Sequence, residues 1–161
     1  MKNYLKPISL LCLLVLLLSS CGFAQESKNK LPVPDFQLQD LVGETVSLSD
    51  YKGKQPVLLF FWTTWCPFCR KELKVLNEKH ASLTRDGLEV LAIDIGEPWE
   101  KVDNFVKSFG LNFLVLLDKD TNTAEAYDIV GVPTFVLVDK KGNIVFKDNF
   151  FPARYKDLLP K

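Results

Sequence analysis

Apolar and polar positions change their period several times along the chain, and each change marks an element. Val57 to Trp62 is apolar at every position. That suits a strand buried on both faces at the centre of a sheet. Asp35-Phe36-Gln37-Leu38 and Thr45-Val46-Ser47-Leu48 alternate instead, with Gly43 between them, and a period of two predicts a hairpin. Ser49 to Lys54 reads as a polar turn region. Arg70 to Arg85 is charged and helix-prone, with Leu73, Leu76 and Leu83 on its buried side. Leu88 to Ile95 is a second apolar strand, entered through Asp86-Gly87. Pro98 to Phe109 predicts a helix with Val102, Phe105, Val106 and Phe109 on one face and Gly110 as its stop. Phe113 to Leu117 is a third strand and Thr123 to Asp128 a short helical piece. Thr134 to Val138 and Ile144 to Lys147 are two strands around the turn Lys140-Lys141-Gly142-Asn143. Arg154 to Leu159 is a short terminal helix. The order is a βαβ half followed by a ββα half.

The beginning of the chain follows a different rule. Met1 to Pro7 carries Lys2 and Lys6 and no acid, and Ile8 to Leu18 is an almost unbroken apolar run. The run is too short for a typical spanning helix, so residues 1–20 read as a secretory signal. Leu18-Ser19-Ser20-Cys21 resembles the lipobox of bacterial lipoproteins. The resemblance implies cleavage before Cys21 and lipid on its sulfur, which anchors a protein to a membrane without spanning it. An ordinary signal peptide with an incidental cysteine is the alternative. Residues 21–30 are then a lipidated tether, polar over Gln25 to Lys30, with a reach of about 3.3–3.6 Å per residue. Residues 31–161 have the length of one domain.

Composition narrows the function. The 161 residues carry 20 Lys and Arg against 20 Asp and Glu. Removal of Lys2 and Lys6 leaves a slightly acidic domain. No basic patch points to nucleic acid. Of four cysteines, Cys12 falls in the signal and Cys21 at the lipid site, so the domain retains Cys66 and Cys69. A four-residue loop constrains little of an unfolded chain, so this pair is chemical rather than structural. A structural zinc site needs four ligands, and the single histidine, His80, reads as a surface or helix-end residue. Neither a metal nor a cofactor is implied.

Cys66 and Cys69 stand where the apolar strand ends and the charged helix begins. Helix-start amides have no intrahelical partner, and the peptide dipole is positive there. A thiol so placed is pushed toward thiolate, into a range of about 3.5–7.5 against about 8.5 for a free cysteine. Pro67 fits the first helical position, where its missing N–H is not needed. Cys69 lies one turn on, within reach of a local disulfide.

The stretch Trp65-Cys66-Pro67-Phe68-Cys69-Arg70-Lys71-Glu72 resembles the active site of the thioredoxin superfamily, and specifically its TlpA-like, ResA-like branch of membrane-tethered thiol–disulfide oxidoreductases. The resemblance implies an α/β thioredoxin-like fold with an N-terminal β-hairpin and an inserted helix, and helices on both faces of a central mixed sheet. It also implies that Pro133, in Gly131-Val132-Pro133-Thr134-Phe135, is cis and packs on the cysteine pair. Val132 then offers its backbone to an extended substrate segment, with Trp65 flanking the pair. Glu72, three residues after Cys69 on the same helix face, is implied to assist proton transfer. An exposed first-turn acid is its plainer reading. Two departures bear on it. Lys74 stands where many members have proline, and Phe60 stands where thioredoxins proper carry a buried acid. Glu72 is therefore the remaining nearby candidate for that task. Of the other tryptophans, Trp62 reads as core and Trp99 as packing.

The chemistry that follows is disulfide exchange with protein dithiol or disulfide substrates, with Cys66 attacking and Cys69 resolving; run backwards, the same site oxidises substrates. The resemblance favours reduction, as in cytochrome c or other thiol maturation, and an extracytoplasmic reductase implies a membrane electron donor. Two alternatives stay open. Thr63-x-x-Cys66 echoes peroxiredoxins, although Leu59 stands where they carry proline. A non-catalytic tethered binding module is the other.

Overall fold

The period changes correspond to real elements in the computed structural model, which describes residues 33–160. The signal, Cys21 and the tether lie outside the described residues. The strands are β1 (Gln37–Asp40), β2 (Thr45–Ser47), β3 (Val57–Trp62), β4 (Glu89–Ile95), β5 (Leu114–Asp118), β6 (Thr134–Val138) and β7 (Ile144–Asp148). The helices are α1 (Pro67–Arg85), α2 (Trp99–Phe109), α3 (Asn122–Ala126) and α4 (Tyr155–Leu158). Part of the expected polar turn region is instead a 3-10 helix over Leu48–Tyr51. It is closed by a capping box in which Ser47 and Asp50 satisfy each other's backbone, an arrangement that supplies partners for free helix-start donors.

The seven strands form one mixed sheet in the order β2-β1-β5-β4-β3-β6-β7. The β3, β4 and β5 strands run parallel, joined through α1 and α2, while β6 pairs antiparallel with β3. The N-terminal hairpin extends the sheet at the β5 side, where β1 pairs antiparallel with β5. The expected βαβ and ββα halves therefore meet at β3, the most buried strand.

Alternate residues of β3 feed two separate cores. Leu58, Phe60 and Trp62 face α1, α2 and α4, where they meet Leu73, Leu76, Leu83, Val102 and Tyr155. Val57, Leu59 and Phe61 face the opposite layer with Phe36, Leu48, Ala124 and Tyr127. Helices thus cover both faces. Each such large apolar side chain stabilises the fold by about 1.5–3 kcal/mol when fully buried. The inserted helix α2 docks through an aromatic stack, Trp62 against Phe105 and Phe105 against Phe109. Trp99, which the sequence reads as packing, is instead 39% exposed and donates its indole N–H to the Leu41 carbonyl at 2.9 Å, tying α2 to the β1–β2 turn. Gly110 ends α2 in the left-handed conformation (φ 69°), which glycine adopts without a Cβ clash. Asp118 accepts from the amides of Thr123 and Ala124 at 3.1 and 2.8 Å, capping α3 from the end of β5.

Candidate active site

Three segments converge at the C-terminal end of β3. The first is the strand-to-helix turn itself. Cys66 is the N-cap of α1, with extended backbone, and Pro67 opens the helix. The Cys66 sulfur accepts a hydrogen bond from the Cys69 amide at 3.1 Å. That amide is one of the donors a helix start leaves free, so the same contact that caps α1 also stabilises negative charge on Cys66. Cys66 and Cys69 are joined as a disulfide, with their Cα atoms 5.2 Å apart. Cys66 is 3% exposed and Cys69 is fully buried, so the outer sulfur is the one a partner can approach.

The second segment is the loop before β6. The Val132–Pro133 peptide is cis. The Val132 carbonyl oxygen lies 3.7 Å from Cys66 Sγ. Thr134 of the motif and Asn149, which lies outside it, hold this loop. Thr134 donates its hydroxyl to the Gly131 carbonyl at 2.7 Å, and the Asn149 side-chain amide donates to the Pro133 carbonyl at 2.6 Å and to Thr134 Oγ1 at 3.1 Å. Asn149 comes from beyond β7, so only the antiparallel β6–β7 pairing brings it here.

The third segment is the loop after β4. Glu97 is buried, and its carboxylate accepts from the Thr64 amide at 2.5 Å and the Thr64 hydroxyl at 2.8 Å. Lys101 pairs with the oxygen that takes the Thr64 hydroxyl. Arg70 of α1 donates Nε to the Thr64 carbonyl at 3.0 Å and lies over the Phe105 ring. Every polar group of Thr64 is thus engaged, two residues before Cys66.

The rim of the site is apolar and open. Trp65 is 63% exposed and Phe68 66% exposed on either side of Cys66. Val130, near the cis peptide, is also fully exposed. Exposed apolar groups gathered around a reactive atom mark an interaction face. Trp62 is buried core, as expected.

Glu72 lies on α1 half-buried, and it forms no hydrogen bond or ion pair among the described residues. Burial pushes its carboxyl above the ordinary range. A second carboxyl, which the sequence does not single out, lies at the end of the same core face. Asp94 is buried on β4, directly opposite Trp62 in the parallel β3–β4 register. An acid next to the last residue of a strand reads as solvent-facing, which conceals its place in the chain. The interruption of Ile93 and Ile95 by a charge was the one available signal. His80 packs edge-on against Phe113. No group of three or more His, Cys, Asp or Glu among the described residues is arranged to hold a metal ion. No described helix is long and apolar enough to cross a membrane.

Comparison with known proteins agrees with this geometry. The AhpC/TSA family model matches residues 30–147. Thiol-disulfide oxidoreductase ResA of Geobacillus thermodenitrificans is 36% identical over 153 residues, covering 89% of this chain and 87% of that protein. ResA of Geobacillus kaustophilus is 41% identical over 111 residues, covering 69% of this chain but 63% of that protein's length. Among solved structures, the thioredoxin domain of a thiol-disulfide oxidoreductase from Bacteroides vulgatus superposes with a TM-score of 0.71 at 30% identity, covering 80% of this chain and 94% of that one. A cysteine pair at a helix start, a facing cis proline and a family match across most of the domain lead to one assignment: the chain belongs to the AhpC/TSA family, among the ResA-like thiol–disulfide oxidoreductases of the thioredoxin superfamily.

Proposed function

We propose that this chain is an extracytoplasmic protein-disulfide reductase, held at a bacterial membrane by lipid on Cys21. The observation that carries the chemistry is the position of Cys66, the N-cap of α1, facing the Val132 carbonyl between exposed Trp65 and Phe68. Cys66, as thiolate, attacks a substrate disulfide. One substrate sulfur bonds to Cys66, and the other leaves as a thiolate and takes a proton from solvent. Val132 and Pro133 hold the substrate segment as an added strand. Cys69 then loses its proton to Glu72 and attacks the Cys66 sulfur, which releases the second substrate sulfur as a thiol. The chain is left as the Cys66–Cys69 disulfide, and two electrons have passed to the substrate. Burial suits Glu72 to this step, since a raised carboxyl pKa brings a base closer to the working pH. Each further cycle needs two electrons from outside the domain, so the reading includes a membrane electron donor. The leader and Cys21 support the location, and the names of the ResA relatives support the reaction.

The test uses the reduced full-length chain and a disulfide-bonded protein such as insulin. Wild type is expected to reduce it, Cys69→Ser to hold it as a mixed disulfide, and Cys66→Ser to do neither. Equilibration with glutathione and dithiothreitol buffers gives the potential of the pair. A strongly reducing value upholds the direction, and a strongly oxidising one overturns it. Peroxide consumption faster than insulin reduction would favour the peroxidase reading that Thr63-x-x-Cys66 leaves open.

A further inference from the structure

Among the described residues, four buried side-chain polar atoms have no hydrogen-bond partner: Trp62 Nε1, Thr63 Oγ1 and both carboxyl oxygens of Asp94. All four lie at the ends of β3 and β4, beside the turn that presents Cys66. Asp94 is 1% exposed. It shares strand parity with Val90 and Ala92, which belong to the same core as Trp62, Cys66 and Cys69. An ionised carboxylate left unpaired in such a place is strongly disfavoured. The group that faces it is another carboxyl, Glu97. Two carboxylates cannot bond each other, because both only accept. With one proton between them, Asp94 donates and Glu97 accepts.

The charges around the pair decide which oxygen keeps the proton. Burial pushes Asp94 up to about 9, and the adjacent Glu97 adds to this. Burial alone would raise Glu97 too, but the bonds from Asp94, from Lys101 of α2 and from both donors of Thr64 hold it below its ordinary value. Lys101 is the cation that faces the pair, and Arg70 from α1 is committed to the Thr64 carbonyl. Asp103, further along α2, is taken up by Lys107.

We propose that Asp94 is a positioning residue for Cys66: its shared proton keeps the Glu97 loop closed on Thr64, and loss of that proton releases the turn that presents the thiol. The groups form a continuous chain: Asp94 faces Glu97, Glu97 accepts from the amide and hydroxyl of Thr64, and Cys66 follows two residues later with its amide on the Thr63 carbonyl. Once the proton leaves, two buried negative charges face each other with one lysine between solvent and the pair. The loop of Gly96 and Glu97 must then move, and it carries the anchor of Thr64 with it. The inference rests on Cys66 being the attacking thiol, as proposed above.

The experiment follows alkylation of Cys66 by iodoacetamide from pH 5 to 10, in the full-length reduced chain carrying Cys69→Ser so that one thiol titrates. The expected profile has two steps. The first is ionisation of Cys66, and the second, near pH 9, changes the rate of the ionised thiol threefold or more. Asp94→Asn, whose amide still donates to Glu97, is expected to retain the first step and lose the second. Two steps in both chains, or one step in both, would overturn the proposal. Infrared spectroscopy of the chain with its disulfide intact gives a readout that needs no Asp94 variant. A protonated-carboxyl band is expected at pH 7, retained in Glu72→Gln and lost above pH 9. Its absence at pH 7, or its loss in Glu72→Gln, would overturn the proposal. These readouts are separate from insulin reduction. A chain that fails to reduce insulin but shows the band refutes the function, and the converse refutes the acid pair.

Discussion

Replacing Asp94 by asparagine should make this protein more stable at neutral pH, and the gain should grow as pH rises. In the unfolded chain the carboxyl ionises near 3.9; in the fold it holds its proton to about 9. Between those values the folded state binds one proton that the unfolded state has lost. Stability therefore falls with pH, by about 1.4 kcal/mol per unit, from about pH 4 up through the folded value. Asparagine at this position carries no proton to lose and keeps the shape and a donor toward Glu97. The stability difference, variant minus wild type, should widen by about 2.7 kcal/mol between pH 5 and 7. For a domain with an ordinary total of about 5–15 kcal/mol, that is large. Urea unfolding of both full-length chains with the disulfide intact, at pH 5, 6, 7 and 8, measures it directly. Titrating groups away from the Asp94–Glu97 pair are common to the two chains and cancel. Parallel curves, with a difference constant to within about 0.5 kcal/mol over this range, would show that Asp94 is ionised in the fold and would refute the reasoning. The direction is unusual, because a residue that is useful to the site is here a burden on the fold.

Two further outcomes follow from the same geometry. Glu72→Gln should slow resolution of the mixed disulfide by at least tenfold near pH 6–7, within the range of about 10²–10⁴ for a lost general base; rapid quench should show the Cys66 adduct accumulating, while the equilibrium potential stays put. Asp118→Ala removes both side-chain acceptors at the start of α3 and should cost about 2 kcal/mol, read as a lower urea midpoint with Cys66 alkylation unchanged.

How far the fold could be read from the chain depends on the range of the interactions concerned. The β3 run, the buried leucines of α1, the apolar face of α2 and its glycine stop are local patterns, and each is found where the periodicity places it. The cysteine pair and its helix start are local too. Sheet order is not. Nothing in Gln37–Asp40 says that it will pair with Leu116 and Leu117, some 77 residues on. The 3-10 helix at Leu48 depends on a Ser47–Asp50 exchange that a polar stretch conceals. The supporting groups of the site were the least visible. Glu97 reaches Thr64 across 33 residues and Asn149 reaches Pro133 across 16. Asp94 comes to share the Phe60 face only through the parallel register that sets it beside Trp62.

The two outer strands of the sheet have a consequence for life in a crowded compartment. Unpaired strand edges are templates for aggregation, and natural proteins blunt them by shortness, bulges and charge. Here β2 is three residues long, and β7 pairs with β6 through a register irregularity at Leu137 and Val138. Lys147, on β7, folds its ammonium back onto the carbonyls of Tyr127 and Asp128. With both margins blunted in this way, the sheet offers little free backbone to a passing strand, and a neighbouring chain has nowhere to add itself edge-on.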